Sequence, residues 1–261
     1  MTVALGLVCS DGVLVASDSM GSNQSVAEHS VKVRRCSSTP MVWTASGSVY
    51  VIEEVEAALA ALDASGSQGE PLRIFTEPNE PAIRTKLKAI LHKTMKTAYD
   101  SALHVAPPAP GGMMQIPFAS DFLLLGYSND QPWFLEFAQD GQVNSHTVGA
   151  FYAVGSGGHF ATVARALMRH YIDTDLTLEL GRMLAYRAIE TTIDVSSGFV
   201  GMPVQIAECS SDGPRVLTTD EIEAIGVEVQ RWKTVERESL RIGQPDVDAA
   251  PAGDLPAMAQ A

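Results

Sequence analysis

The sequence predicts an α+β protein in which antiparallel sheets are covered by paired helix layers. Asp-Gly dipeptides recur between runs rich in β-branched and apolar residues. Helical periodicities come in pairs between groups of strands instead of alternating one for one with them, which argues against βαβ units. At 261 residues, 46% of them hydrophobic, the chain is long enough to bury one full core. No linker divides residues 2–240, which read as one domain, and the Pro/Ala-rich stretch 241–261 reads as a flexible tail.

The elements follow in order. Residues 2–9 (TVALGLVC) and 13–17 (VLVAS) flank Ser10-Asp11-Gly12, a hairpin signal because both turn positions can require positive φ. Ile52, Val55, Leu59 and Leu62 fall at helical spacing. Ile83, Leu87, Ile90, Leu91 and Ala98 do the same after Pro81, a favoured first-turn residue. Residues 104–118 carry too much Pro and Gly for a regular element. Strands are expected at 121–127 and 133–138, with Asp140-Gly141 turning the second towards Val148. Phe160, Val163, Ala164, Leu167 and Tyr171 form a third helical stripe. Leu176, Leu180, Leu184 and Ala188 form a fourth, with Thr174 or Asp175 as its cap. Asp212-Gly213 joins a last pair of strands, and a helix is expected near 219–239.

Composition excludes several function classes. The net charge is −13, from 18 basic and 31 acidic residues with no Lys/Arg-rich run, so no nucleic-acid partner is expected. Cys9, Cys36 and Cys209 are far apart and form no CxxC pair. This disfavours a disulfide framework or a thiolate zinc site and fits a reducing compartment. The first residues lack the basic and apolar regions of a signal peptide, and no run of roughly 18 apolar residues occurs. A cytoplasmic protein without a membrane span is therefore expected. Histidines 29, 92, 104, 146, 159 and 170 show no ligand spacing and read as structural or surface residues, so no metal is expected, and the candidate chemistry below requires no cofactor.

The candidate chemistry begins at the second residue. A threonine hydroxyl is a poor nucleophile unless a base takes its proton. At a chain start its own α-amine can do so, because that amine has a reference pKa of about 7.7–8.0. Thr2 becomes such a residue once Met1 is removed. Asp18 ends the apolar strand paired through the hairpin with the strand starting at Thr2, and Lys32 lies in a β-like stretch with apolar neighbours. If Lys32 points inward it needs a partner, which Asp18 can be; its ammonium then lies near the Thr2 hydroxyl.

Thr2 followed by Gly12-Val13-Leu14-Val15-Ala16-Ser17-Asp18-Ser19 resembles the opening of proteasome β-subunits and of the peptidase subunit of the bacterial two-component ATP-dependent protease. The resemblance implies an N-terminal-nucleophile (Ntn) hydrolase with a four-layer αββα sandwich, two antiparallel sheets lying between helix layers. It implies a threonine endopeptidase whose reactive centre is Thr2, Asp18 and Lys32. Ala45-Ser46-Gly47-Ser48 is similar to the family turn whose glycine N–H forms the oxyanion hole, which assigns that role to Gly47. Val154-Gly155-Ser156-Gly157 and Asp194-Val195-Ser196-Ser197-Gly198 resemble two further family elements, so Ser156, Asp194 and Ser197 are expected to hold the α-amine and relay protons.

Met20, Ala45 and Tyr50 are the expected lining of the side-chain pocket. The implied substrate is a peptide or unfolded protein, cut inside a closed homo-oligomer. A ring, an open helical assembly and an ATPase regulator all stay open. Met20 in place of the family's common Arg, Phe199 after Gly198, and a long 65–118 region mark a divergent bacterial relative, with no propeptide expected before Thr2. Three other readings remain. Gly155-Ser156-Gly157 also fits a dinucleotide loop, but no second strand ending in an acidic residue follows. The same fold also serves non-catalytic shell or assembly subunits, and an acyl-enzyme passed to an amine makes a peptide ligase.

Overall fold

A computed structural model of the protein describes residues 2–23, 26–66, 80–105, 120–128, 130–168, 175–196 and 200–241. Strands β1 (Ala4–Val8) and β2 (Val13–Ser17) contain almost only apolar residues and are buried along their whole length. A strand of this composition needs cover on both faces, and the topology supplies it. The first sheet has the order β10 (Phe151–Val154), β1, β2, β11 (Gln205–Ser210), β12 (Gly213–Val216). The second runs β5 (Val33–Arg35), β6 (Met41–Gly47), β7 (Ser120–Ser128), β8 (Gln131–Phe137), β9 (Val143–His146). Every pairing in both sheets is antiparallel.

Side-chain alternation divides the apolar residues into three cores. Ala4, Val8, Val13 and Val15 meet Val42, Leu123, Leu125 and Phe134 between the sheets. Leu5, Leu7, Leu14 and Ala16 point the other way, towards α3 (Gly158–Met168), α4 (Leu178–Val195) and α5 (Thr219–Arg241). On the second sheet Trp43, Phe122, Leu124 and Leu135 pack under α1 (Val49–Gly66) and α2 (Glu80–Val105). The layers are therefore helix, sheet, sheet, helix, an αββα sandwich.

Several local expectations need correction. The Asp11-Gly12 hairpin forms, but Gly12 does not take positive φ, whereas Gly141 and Gly213 do, at +82° and +94°. Position 12 needs glycine for space: a Cβ there meets Cys209 O and Leu178 Cδ1 at 2.7 Å each. The Asp11 carboxylate accepts the Leu178 N–H at 2.7 Å, and Thr177, not Asp175, is the cap of α4; Thr174 lies outside the described residues. Of the described residues of the third helical stripe, only Ala164 faces the core. Phe160, Val163 and Leu167 are 45%, 60% and 62% exposed, and small Ala161 and Ala164 face the sheet instead, while Tyr171 is outside the described residues. Large side chains are excluded there because α3 packs closely on α4 and the sheet. Lys32 lies just before β5, not inside a strand, and a small hairpin of β3 (Met20–Asn23) and β4 (Val26–His29), which no periodicity announces, precedes it. Of the segment 104–118, residues 106–118 fall outside the described residues, as does the tail from 242. Among the described residues no helix is long and apolar enough to cross a membrane.

Candidate active site

The end of β2 carries Ser17-Asp18 past the start of β1, and the register pairs Ala4 with Ser17. The start of the chain is therefore held along the end of its neighbour. The Val3 carbonyl accepts the Ser17 hydroxyl at 2.8 Å and the Asp18 N–H at 3.2 Å, and the Val3 N–H donates to Asp18 Oδ1 at 3.1 Å. Asp18 is fully buried, and its carboxylate also accepts the N–H groups of Met20 at 3.1 Å and Gly201 at 3.3 Å. A buried carboxylate needs this many donors because water is absent.

The remaining charge is balanced by Lys32, 8% exposed, whose Nζ lies 2.8 Å from Asp18 Oδ1. The same ammonium donates to the Met20 carbonyl at 2.5 Å and to Thr2 Oγ1 at 3.3 Å. Its three N–H bonds thus reach a carboxylate, a carbonyl and the threonine hydroxyl. Burial holds the Lys32 ammonium below the ordinary lysine pKa, and the hydrogen bond and charge of Asp18 work against that shift.

A second turn closes on Thr2 from the opposite side. The Gly157 N–H donates to the Thr2 carbonyl at 3.1 Å. Gly155, at φ +86°, comes so close that a Cβ there lies 2.2 Å from Thr2 O and 3.0 Å from Ser46 Oγ. The end of β6 is therefore drawn to the same place, and Gly47, next in the chain, has φ +130°. Ser156 is the exposed residue between the two close-approaching glycines. A Cβ at Gly157 meets Val3 Cβ at 2.8 Å and Thr192 Cγ2 at 2.9 Å, so the last turns of α4 also reach the chain start.

Asp194, on the last turn of α4, is exposed, and no hydrogen bond joins it to Thr2 among the described residues. Ser197 and Met1 lie outside the described residues. Met20 is half-buried with its side chain against Gly201, Ala45 is buried in the core beneath α1, and Tyr50 is 44% exposed on the first turn of α1. Thr2, Asp18, Lys32 and the Gly155–Gly157 turn are thus brought into direct contact. Asp194, Ala45 and Tyr50 are not in contact with Thr2 through any hydrogen bond described.

Sequence reasoning missed four participants: the hydroxyl of Ser17, the N–H groups of Gly157 and Gly201, and the carboxamide of Gln205, which binds the Lys32 backbone. Ser17 and Gly157 stand inside motifs that the sequence already singles out, whereas Gly201 and Gln205 carry no such signal. Among the described residues no group of three His, Cys, Asp or Glu side chains could hold a metal ion.

No family model matches the chain. Proteasome subunit beta 1 of Thermococcus onnurineus is 29% identical over 229 residues, which cover 86% of this chain and 96% of that protein. The proteasome subunit beta of Methanocaldococcus jannaschii is 25% identical over 227 residues, covering 86% of this chain and 88% of that one. Among solved structures, Anbu (ancestral beta-subunit) from Yersinia bercovieri superposes with a TM-score of 0.69 at 14% identity, over 93% of this chain and 98% of its own. The chain thus has a proteasome-like, Ntn-type fold and is similar to proteasome β-subunits over most of its length, at low identity.

Proposed function

We propose that this chain is a threonine-type peptidase that cuts peptide bonds with Thr2, exposed by removal of Met1. The observation that best supports this reading is the Lys32 ammonium, which donates to Thr2 Oγ1 at 3.3 Å while tied to a fully buried Asp18 at 2.8 Å. A positive charge beside the hydroxyl lowers the cost of the developing alkoxide.

In this mechanism Thr2 Oγ adds to the scissile carbonyl carbon as its proton passes, through a water, to the Thr2 α-amine. Negative charge forms on the carbonyl oxygen and is met by the Gly47 N–H. Collapse breaks the C–N bond, and the leaving amine takes the proton held by the α-amine. Water then adds to the acyl ester, with the α-amine again as base, and the acid product leaves Thr2 free. Ser156, Asp194 and Ser197 orient the amine, while Met20, Ala45 and Tyr50 line the side-chain pocket. No cofactor enters any step.

The substrate is a peptide or unfolded protein, and the chain works as a self-compartmentalised homo-oligomer in the cytoplasm. The relatives named as proteasome subunits support that assembly. The test is covalent labelling of the purified protein with a threonine-directed electrophile, followed by peptide mapping. An adduct on Thr2 with Met1 absent is expected. An intact Met1 and no adduct would refute the peptidase and leave a non-catalytic subunit of the same fold. Incubation with two peptides separates hydrolysis from ligation, since only a ligase yields spliced product.

A further inference from the structure

Lys32 precedes β5; the Ser30 N–H is taken by the Ser19 carbonyl at 2.8 Å, but the Ser30 carbonyl and the Lys32 N–H have no strand neighbour. One side chain stands in for it. Gln205 Oε1 accepts the Lys32 N–H at 2.8 Å and the Val33 N–H at 3.4 Å, and its Nε2 donates to the Ser30 carbonyl at 2.7 Å. The carboxamide thus offers an acceptor and a donor, as a peptide unit of an adjoining strand does. The remaining Lys32 backbone group, its carbonyl, accepts the buried Thr44 hydroxyl at 2.9 Å.

Gln205 is itself held in register. It is the first residue of β11 and pairs with Ser17, the last residue of β2, so it sits one residue from the point where Asp18 is delivered. The same strand pairing therefore fixes both the carboxylate and the side chain that holds the lysine's backbone. The tolerance is small, because all three N–H groups of Lys32 Nζ are engaged, at 2.8, 2.5 and 3.3 Å. The longest and weakest is the one to Thr2 Oγ1, so a small displacement of the Lys32 backbone breaks that contact first.

We propose that Gln205 is a positioning residue: its carboxamide replaces a missing strand neighbour and sets the distance from the Lys32 ammonium to the Thr2 hydroxyl. This role rests on the peptidase reading above. Gln205 touches neither substrate nor nucleophile. Among the described residues the charged group paired with Lys32 is Asp18 at the end of β2, and His29 of β4 stands nearby in the chain, bonded at 3.2 Å to Ser19.

The test compares the full-length protein with Gln205→Ala, Gln205→Asn and Gln205→Glu in peptide turnover. In Gln205→Ala, kcat falls about tenfold or more while KM changes less than about twofold, as expected for an interaction used in the chemical step. Gln205→Asn is too short and does not rescue. Gln205→Glu keeps the acceptor but loses the donor, and recovers part of the loss. In Gln205→Ala the alkaline limb of the pH profile moves up towards the ordinary lysine range, because a loosened Lys32 regains water.

Trace acetylation of Lys32, read by peptide mass spectrometry, becomes several-fold faster in Gln205→Ala. This second readout needs no turnover. A wild-type protein without a Thr2 adduct removes the peptidase reading, yet Lys32 acetylation still reports on Gln205. The proposal is overturned if Gln205→Ala keeps the wild-type kcat, pH profile and Lys32 acetylation. It is overturned equally if kcat falls only in step with thermal stability, with the pH limb and acetylation unmoved.

Discussion

At Lys32 two demands meet on one side chain: it must neutralise a fully buried carboxylate and also keep a hydrogen atom for Thr2 Oγ1. Burial draws its pKa below the ordinary 10.5. The proposed chemistry needs the ammonium, so turnover should decline with rising pH before an ordinary lysine would deprotonate. It should rise at lower pH as the chain-start amine loses its proton, near its reference of about 7.7–8.0. A kcat/KM profile on a short peptide reads both limbs, and an alkaline limb at or above 10.5 would contradict the assignment. Lys32→Ala leaves Asp18 buried without its counter-charge, and is expected to abolish turnover and to destabilise the fold by about 3 kcal/mol. Urea unfolding measures the second effect; wild-type stability would mean that the N–H donors around Asp18 suffice. Burial pushes the thiols of Cys9, Cys36 and Cys209 up to about 12, so iodoacetamide at neutral pH should label none of them and spare activity. A stoichiometric adduct with loss of turnover would point to a different nucleophile. At this scale Thr2, Asp18 and Lys32 were legible because each stands in a short local motif. Gln205 was not, since the backbone it holds lies 173 positions away and a lone glutamine before an apolar run carries no signature.

Among the elements, the turn from β10 into α3 has the least freedom. A Cβ at Gly155 lies 2.2 Å from the Thr2 carbonyl oxygen, and the backbone there has φ +86°. Gly155→Ala therefore combines a left-handed backbone cost of about 1–2 kcal/mol with a backbone clash, and must displace Thr2 or the turn. A fall in melting temperature with loss of Thr2 labelling is the expected outcome, and full labelling in a stable variant would contradict this geometry. The hairpins and helices were readable from alternation, Asp-Gly pairs and helical spacing because those signals are local. What misled was the role of individual residues within them. Gly12 meets a steric need set by Cys209 and Leu178, and Phe160, Val163 and Leu167 have helical spacing without facing the core. Such facts depend on which elements become neighbours, and no window of the sequence contains both partners.

For the molecule as a whole, acid sensitivity is set by carboxylates held in ion pairs or by backbone donors. The Arg215 guanidinium holds Glu221 down to about 2, and Arg187 holds Glu236 below its ordinary value. Burial raises Asp63, but the N–H groups of Ser37, Ser38 and Thr39 outweigh it and leave its pKa lowered. A depressed carboxylate contributes stability above its unfolded value, and loses it as pH falls through the folded one. From these groups, thermal melts should stay level between about pH 8 and pH 5 and fall steadily from about 4.5 towards 2. A flat response down to about pH 3 would show that these bonds do not matter to the fold. The layered architecture was legible as a whole, because segregated runs of strands and helices leave few ways to cover two sheets. The position of β1 between β2 and β10 has one more consequence. Its second neighbour pairs Val154 with Ala4 and is synthesised long after it. That partner closes on the chain start, yet the proposed chemistry still needs the Thr2 α-amine free, so nothing can remain attached ahead of it. A purification tag fused ahead of Thr2 should therefore give well-folded but silent protein, while the same tag fused after residue 261 should not.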